Sequence, residues 1–233
     1  MGESDMETTR KKARRLGIPL IFPDESGFSL SPIRGTTWCE VGKPTLLREH
    51  FSRKSQTGLG FITMTATQGR CIPVGASAPY NNPLPLVADV DERNKVKRSI
   101  LAEGDCNPTA CWRFTIFEGG INTEDVIFFL TMIHEYYGGK VMIVWDSLSS
   151  HLSARKYFES TRPDWFLFEQ LPTYSPELNP VEQCWQMMKN VHMANFVPKD
   201  VEELEAKTLE VAQVINNDPK LLASFFHHAK LAL

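Results

Sequence analysis

The sequence has 233 residues, of which 42% are hydrophobic, and a net charge of -3. That is enough chain for one sizeable core, but the charge argues against a freestanding, high-affinity nucleic-acid binder, because phosphate neutralisation needs clustered Lys and Arg. Five scattered cysteines without a CxxC pair leave no basis for a disulfide framework or a zinc ribbon, and no apolar run approaches the roughly 20 residues that span a bilayer; a soluble, cytoplasmic protein with reduced thiols is expected.

Residues 1–17 are polar, and Arg10, Lys11, Lys12, Arg14 and Arg15 form a basic cluster on a short predicted helix. Such a cluster is either solvated surface or a local phosphate contact. From residue 18 onward the chain reads as one domain. Ile18 to Phe22 is apolar, Pro23 and Asp24 follow, and alternation resumes at Phe28 and Leu30, which predicts a strand with an acid partway along it. Asp24 then lies on a solvated edge or beside a partner, since an unpaired buried carboxylate is costly. Thr36 to Val41 predicts a second strand, and residues 60–67 and 71–74 two more around a turn at Gln68 and Gly69, giving an antiparallel meander. Residues 75–109, rich in proline, read as an insertion with a helix over 91–101; its Asp89, Asp91 and Asp105 lack any repeated ligand spacing and read as solvated loop acids. Trp112 to Phe117 returns as a strand.

The period then changes. Asn122 or Thr123 caps a helix with apolar residues at helical spacing from Val126 to Tyr137, ended by Gly138 and Gly139. Val141 to Trp145 is continuously apolar and predicts a buried parallel strand with Asp146 at its carboxyl end, where sites form in open α/β sheets. A polar loop carries His151, a helix covers about 154–161, and Trp165 to Phe168 is a further strand. Proline-stiffened residues 171–179 lead into a helix opened by Asn179 and Pro180, with Glu182 at its third position. Glu182 either only completes a capping box with Asn179 or has a function of its own. Lys189 shares its helical face. Asp200-x-x-Glu203 opens another helix to about Asn216, and residues 221–230 form a last one, so that 200–233 is a C-terminal helical segment.

Asp24, Asp146 and Glu182 thus lie on three elements and converge if the first strand runs beside residues 141–145 and the Pro180 helix crosses that sheet. Hard divalent cations take oxygen ligands and keep several waters, so a few carboxylates suffice. Two such ions about 3.5–4 Å apart can serve an in-line phosphodiester displacement.

The segments PDESGF at 23–28, RGTTW and GKP within 34–44, VWDSLSSH at 144–151 and LPTYSPELNPVEQCW at 171–185, with ANF-x-P and SFFHHAKLAL near the end, resemble the catalytic domain of transposases of the bacterial IS630 group, relatives of Tc1/mariner. The resemblance covers about residues 18–233. It implies an RNase H-like α/β fold, a mixed five-stranded sheet in which an antiparallel meander joins parallel strands, flanked by helices. It implies a DDE triad of Asp24, Asp146 and Glu182 holding Mg2+ or Mn2+, two ions in all, and metal-dependent DNA cleavage and strand transfer. Thirty-five residues lie between Asp146 and Glu182, close to the family's usual spacing. Lys189 matches a basic position that touches DNA phosphate in similar enzymes, and His151 a recurrent histidine after the second acid; as residues alone, either is equally an ordinary solvated or locally bonded side chain. Ser147 stands where many relatives have Asn. The family's helix-turn-helix region does not precede the first catalytic strand, so a separate segment or partner chain is expected to bind transposon ends, with target DNA and a second copy of the chain as further partners and a place at the bacterial nucleoid. Two other readings keep the fold: a nonspecific RNase H-like endonuclease, and an inactive remnant that binds DNA or a partner.

Overall fold

The computed structural model describes residues 3–43, 46–47, 54–64, 96–100, 110–172 and 175–231. Six strands form one mixed sheet: β1 (Leu20–Ser29), β2 (Ser55–Met64), β3 (Val96–Ile100), β4 (Ala110–Glu118), β5 (Val141–Trp145) and β6 (Phe166–Gln170), in the spatial order β3-β4-β2-β1-β5-β6. The expected mixed sheet, antiparallel strands joined to parallel ones, is present, with six strands among the described residues. β1, β2 and β4 pair antiparallel, whereas β1, β5 and β6 run parallel.

Residue alternation along β1 and β5 assigns the two faces. Leu20, Phe22, Phe28, Met142 and Val144 join a core built with α1 (Glu3–Leu16), α4 (Pro180–Gln186), α5 (Val201–Asn216) and α6 (Pro219–His228). Ile21, Ile143 and Trp145 face the other way, into a core shared with α2 (Thr123–Tyr137) and α3 (Ser149–Thr161). β5 is buried at all five positions, as a parallel strand covered on both faces must be. The β1–β5 pairing covers only Leu20 with Met142 and Ile21 with Ile143. Pro23, which has no N–H to give, lies just past it, and Asp24 and Asp146 both follow the point where the pairing ends.

Several local expectations are corrected. Thr36 to Val41 is not a strand: residues 34–40 have no regular structure and Trp38 is fully exposed, the segment being held at its start by the Ile33–Ala194 bridge and the Gly35 N–H donated to Asn195 Oδ1. β2 begins earlier than residue 60, at Ser55. The helix expected over 91–101 is instead, over its described part, the strand β3: Val96 to Ile100 pairs with β4, whose long apolar edge takes a partner despite the charged sequence. The turn at 68–69, the strand at 71–74 and Asp89, Asp91 and Asp105 lie outside the described residues. α3 starts at Ser149, so His151 is helical rather than in a loop. In the basic N-terminal segment, α1 buries Met6, Thr9 and Ala13.

The capping signals at α2 hold: Asn122 Oδ1 accepts from the Glu124 and Asp125 amides, Asp125 returns the bond to Asn122 N–H, and Gly138 closes the helix with φ 63°. Those at α4 do not. Asn179 precedes the helix with an extended backbone but makes no side-chain cap, so Glu182 is released from the capping box and points elsewhere.

Candidate active site

Asp24 and Glu182 meet on one face of the sheet. Asp24 shares the face of Phe22 and Phe28, and α4 packs across that face with Val181, Cys184 and Trp185 buried. The indole of Trp185 lies against β2, over Gly58 and Gly60, and Gly60 is the register partner of Asp24. It is edge-on to Phe28, Trp112 and Phe114, with ring centroids 5.3–6.1 Å apart. With that large side chain fixed, Glu182 on the preceding turn is directed at Asp24.

The two carboxyl groups lie within electrostatic reach of each other. Burial, reinforced by the negative charges of Glu182, Glu25 and Asp146, pushes Asp24 up to about 8. Burial likewise raises Glu182, against the opposing pull of Lys189. Lys189, on the irregular π turn Met187–His192 that follows α4, is itself held below the usual ammonium range by burial, with Glu182 and Asp24 acting the other way. Its amine stands 5.1 Å from the Phe28 ring centroid. Rather than a solvated surface cation, Lys189 is a half-buried charge that partly balances the two acids.

Asp146 approaches from the end of β5. Burial would raise its carboxyl, but hydrogen bonds from His151 and the Leu148 amide outweigh this and hold it low; both donate to Oδ1, at 2.6 Å from His151 Nδ1 and 3.1 Å from Leu148 N. His151 is 1% exposed, so its ring is turned into the protein rather than toward solvent. Its Nε2 donates to Glu25 Oε1 at 2.9 Å, and its ring stacks on Trp145 at 4.5 Å with the planes 4° apart. Burial opposes its charge, but the two carboxylates overcome that and raise it to about 9; with acceptors on both sides, both ring nitrogens donate and the ring is cationic. Ser147 accepts a hydrogen bond from the Gln170 amide.

The oxygens of this site fit a hard divalent cation. Asp24 Oδ2 and Glu25 Oε2 are buried without a hydrogen-bond partner, a costly condition that an ion would relieve at Asp24, and three acids crowd one another electrostatically. Among the described residues no three His, Cys, Asp or Glu side chains already close around one point, and magnesium, which usually keeps several waters, is the kind of ion such an open set suits. Asp24, Asp146 and Glu182 are the side chains that would hold it.

Lys12 pairs with Glu169 at 2.5 Å and Lys11 with Glu7 at 2.7 Å, while Arg10 is half-buried and Arg14 and Arg15 are exposed at the end of α1. Sequence reasoning missed Glu25 and the Gly58–Gly60 slot. The signals available were an acid next to Asp24 on the opposite face of the same strand, and a Gly-x-Gly inside an apolar strand, which marks close approach of another group.

A family model described as DDE superfamily endonuclease matches residues 88–205, a stretch that includes Asp146 and Glu182 and begins downstream of Asp24. No curated protein matches the chain. Among solved structures, the Mos1 mariner paired-end complex with Mn is similar at a TM-score of 0.54 and 14% identity over 98% of this chain and 57% of its own. The mariner Mos1 paired-end complex with Mg gives 0.51 and 12%, over 98% and 59%. The Mos1 transposase paired-end complex with left transposon end gives 0.50 and 12%, over 98% and 60%. The likeness shows an RNase H-like fold, and the chain spans less than two thirds of the length of these structures.

Proposed function

The chain belongs to the DDE superfamily endonucleases, and from that premise we propose that it is the catalytic part of a DNA transposase of the IS630 group within the Tc1/mariner superfamily. It cuts a phosphodiester at a transposon end and joins the freed 3′-hydroxyl to target DNA. The observation that carries this reading is the meeting of Asp24 with Glu182, with Asp146 within electrostatic reach of both. Further support comes from the similar Mos1 complexes, which are of paired ends and hold Mn or Mg.

Divalent ions, two in this proposal, would activate the attacking oxygen and stabilise the leaving one. The chain's own groups prepare the site. Asp24, raised to about 8 by burial and the neighbouring acids, gives up its proton when a cation is bound, because a ligating carboxylate must be deprotonated. Asp146 keeps Oδ1 for His151 and Leu148 and offers Oδ2. Lys189 limits the negative charge that an incoming phosphate meets. Recognition of the DNA ends falls to a separate helix-turn-helix segment or a partner chain, and the working unit at the nucleoid is a homodimer.

The test is nicking of supercoiled plasmid in Mg2+ or Mn2+ by the wild-type chain and Glu182→Gln, followed by joining of pre-cut 3′-ends to a second DNA. Nicking by the wild type alone, with joined products, is expected. Equal nicking by Glu182→Gln overturns the site assignment. Nicking without joining reduces the activity to that of a nonspecific endonuclease, and DNA binding with neither reaction marks a remnant.

A further inference from the structure

The site holds a second pair of groups that the three acids do not account for: Glu25, next to Asp24 on β1, and His151 on α3. Adjacent strand residues point to opposite faces, so β1 sends Asp24 toward α4 and Glu25 toward α3. There Glu25 Oε1 accepts a hydrogen bond from His151 Nε2, and His151 Nδ1 donates to Asp146 Oδ1. The imidazole has no freedom to turn: it is 1% exposed and lies flat on Trp145. Asp146 itself is about half exposed and stands at a strand end, where a carboxylate without such support would sample several rotamers. A continuous line of bonds therefore runs from Asp24 through the β1 backbone to Glu25, His151 and Asp146. It crosses from β1 to β5 beyond the point where their backbone pairing stops.

We propose that Glu25 is a positioning residue for the metal site, acting through His151 to fix the orientation of Asp146 and its distance from Asp24. This rests on the reading of Asp24, Asp146 and Glu182 as ion ligands. Groups that orient a ligand in this way typically change metal affinity by about 10- to 100-fold when removed. Glu25 serves both sides of the site, since any shift of β1 moves Asp24 and the anchor of Asp146 together.

The experiment measures Mn2+ affinity by titration calorimetry on the full chain, with folding checked by circular dichroism, for the wild type, Glu25→Ala, Glu25→Gln, His151→Ala and the double variant of Glu25→Ala with His151→Ala. Glu25→Ala is expected to weaken Mn2+ binding by about tenfold or more. Glu25→Gln keeps an acceptor for Nε2 and is expected to stay within about threefold of wild type. In the His151→Ala background, Glu25→Ala is expected to add nothing, because the link through which it acts is gone. An equal loss from Glu25→Ala with and without His151 would make Glu25 a direct ligand and overturn the proposal, as would wild-type affinity in folded Glu25→Ala. A wild-type chain that binds no Mn2+ overturns the metal reading itself, an outcome distinct from either of these.

Discussion

Trp185 and Gly60 are in such close contact that a Cβ on Gly60 would come within 2.8 Å of two carbons of the indole and of the Phe114 Cβ. The glycine is needed for space. Because Trp185 follows Glu182 by three residues on α4, the contact that seats the indole also sets the direction of the carboxylate.

Replacing Gly60 by Ala is therefore expected to push α4 off the sheet. Overpacking of this kind costs about 1–3 kcal/mol, read as a lower melting temperature, and nicking should fall further than the loss of folded protein accounts for. Gly120→Ala, where a Cβ meets nothing within 4 Å, is the control and should melt like the wild type. Equal nicking by the two variants would separate Trp185 packing from the site.

Asp24 and Glu182 oppose each other in the metal-free protein, so neutralising one should stabilise the fold while disabling it. Asp24→Asn is expected to melt at least about 2 °C above the wild type near pH 8.5, where the wild-type carboxyl is ionised; for a chain of this size that corresponds to roughly 1 kcal/mol. Near pH 5, where Asp24 carries its proton, the difference should close. The rise in melting temperature that Mn2+ gives the wild type should be absent in the variant. Identical melting of the two proteins across that range would argue that the carboxyls do not repel.

The pH dependence of metal-free stability follows from two groups with the same sign. Asp24 is raised from 3.8 to about 8, so between these values the folded state holds a proton that the unfolded state has lost, and stability falls as pH rises. His151 is raised from 6.5 to about 9; its stabilisation is complete below 6.5 and is lost as pH climbs through 9. Each group lowers stability by up to about 1.4 kcal/mol per pH unit within its window. Chemical denaturation from pH 6 to 9 should show this decline, and saturating Mn2+ should flatten it by taking over from the Asp24 proton. A stability that rises over that range would contradict both assignments.

The elements that carry the three acids were legible in the sequence because each depends on local pattern: the unbroken apolar run of β5, the caps of α2, the proline approach to α4. What was not legible depends on contacts between distant residues. Asn179 and Glu182 have the spacing of a capping box, yet the packing of Trp185 on Gly58 and Gly60 turns the glutamate toward Asp24. Residues 96–100 are too charged to read as a strand, but the edge of β4 pairs with them. His151 looked like a polar loop histidine because nothing nearby in sequence shows that Glu25, 126 positions earlier, faces it.

The basic helix divides into cations in ion pairs and exposed ones, and the division predicts how each would bind DNA. Lys12 already has Glu169 at 2.5 Å across the domain, so contact with a phosphate would require breaking that pair. Arg14 and Arg15 are exposed in the last turn of α1 and can release counterions from a duplex. Each phosphate contact contributes about 0.9 to the slope of log affinity against log salt. The Arg14→Ala, Arg15→Ala double variant is accordingly expected to weaken duplex binding and flatten that slope by about 2, whereas Lys12→Ala should leave it unchanged. Fluorescence anisotropy with a labelled duplex between about 50 and 200 mM salt measures both. A flattened slope in Lys12→Ala would show that the lysine leaves Glu169 for DNA, and an unchanged slope in the double variant would return the end of α1 to the solvated surface.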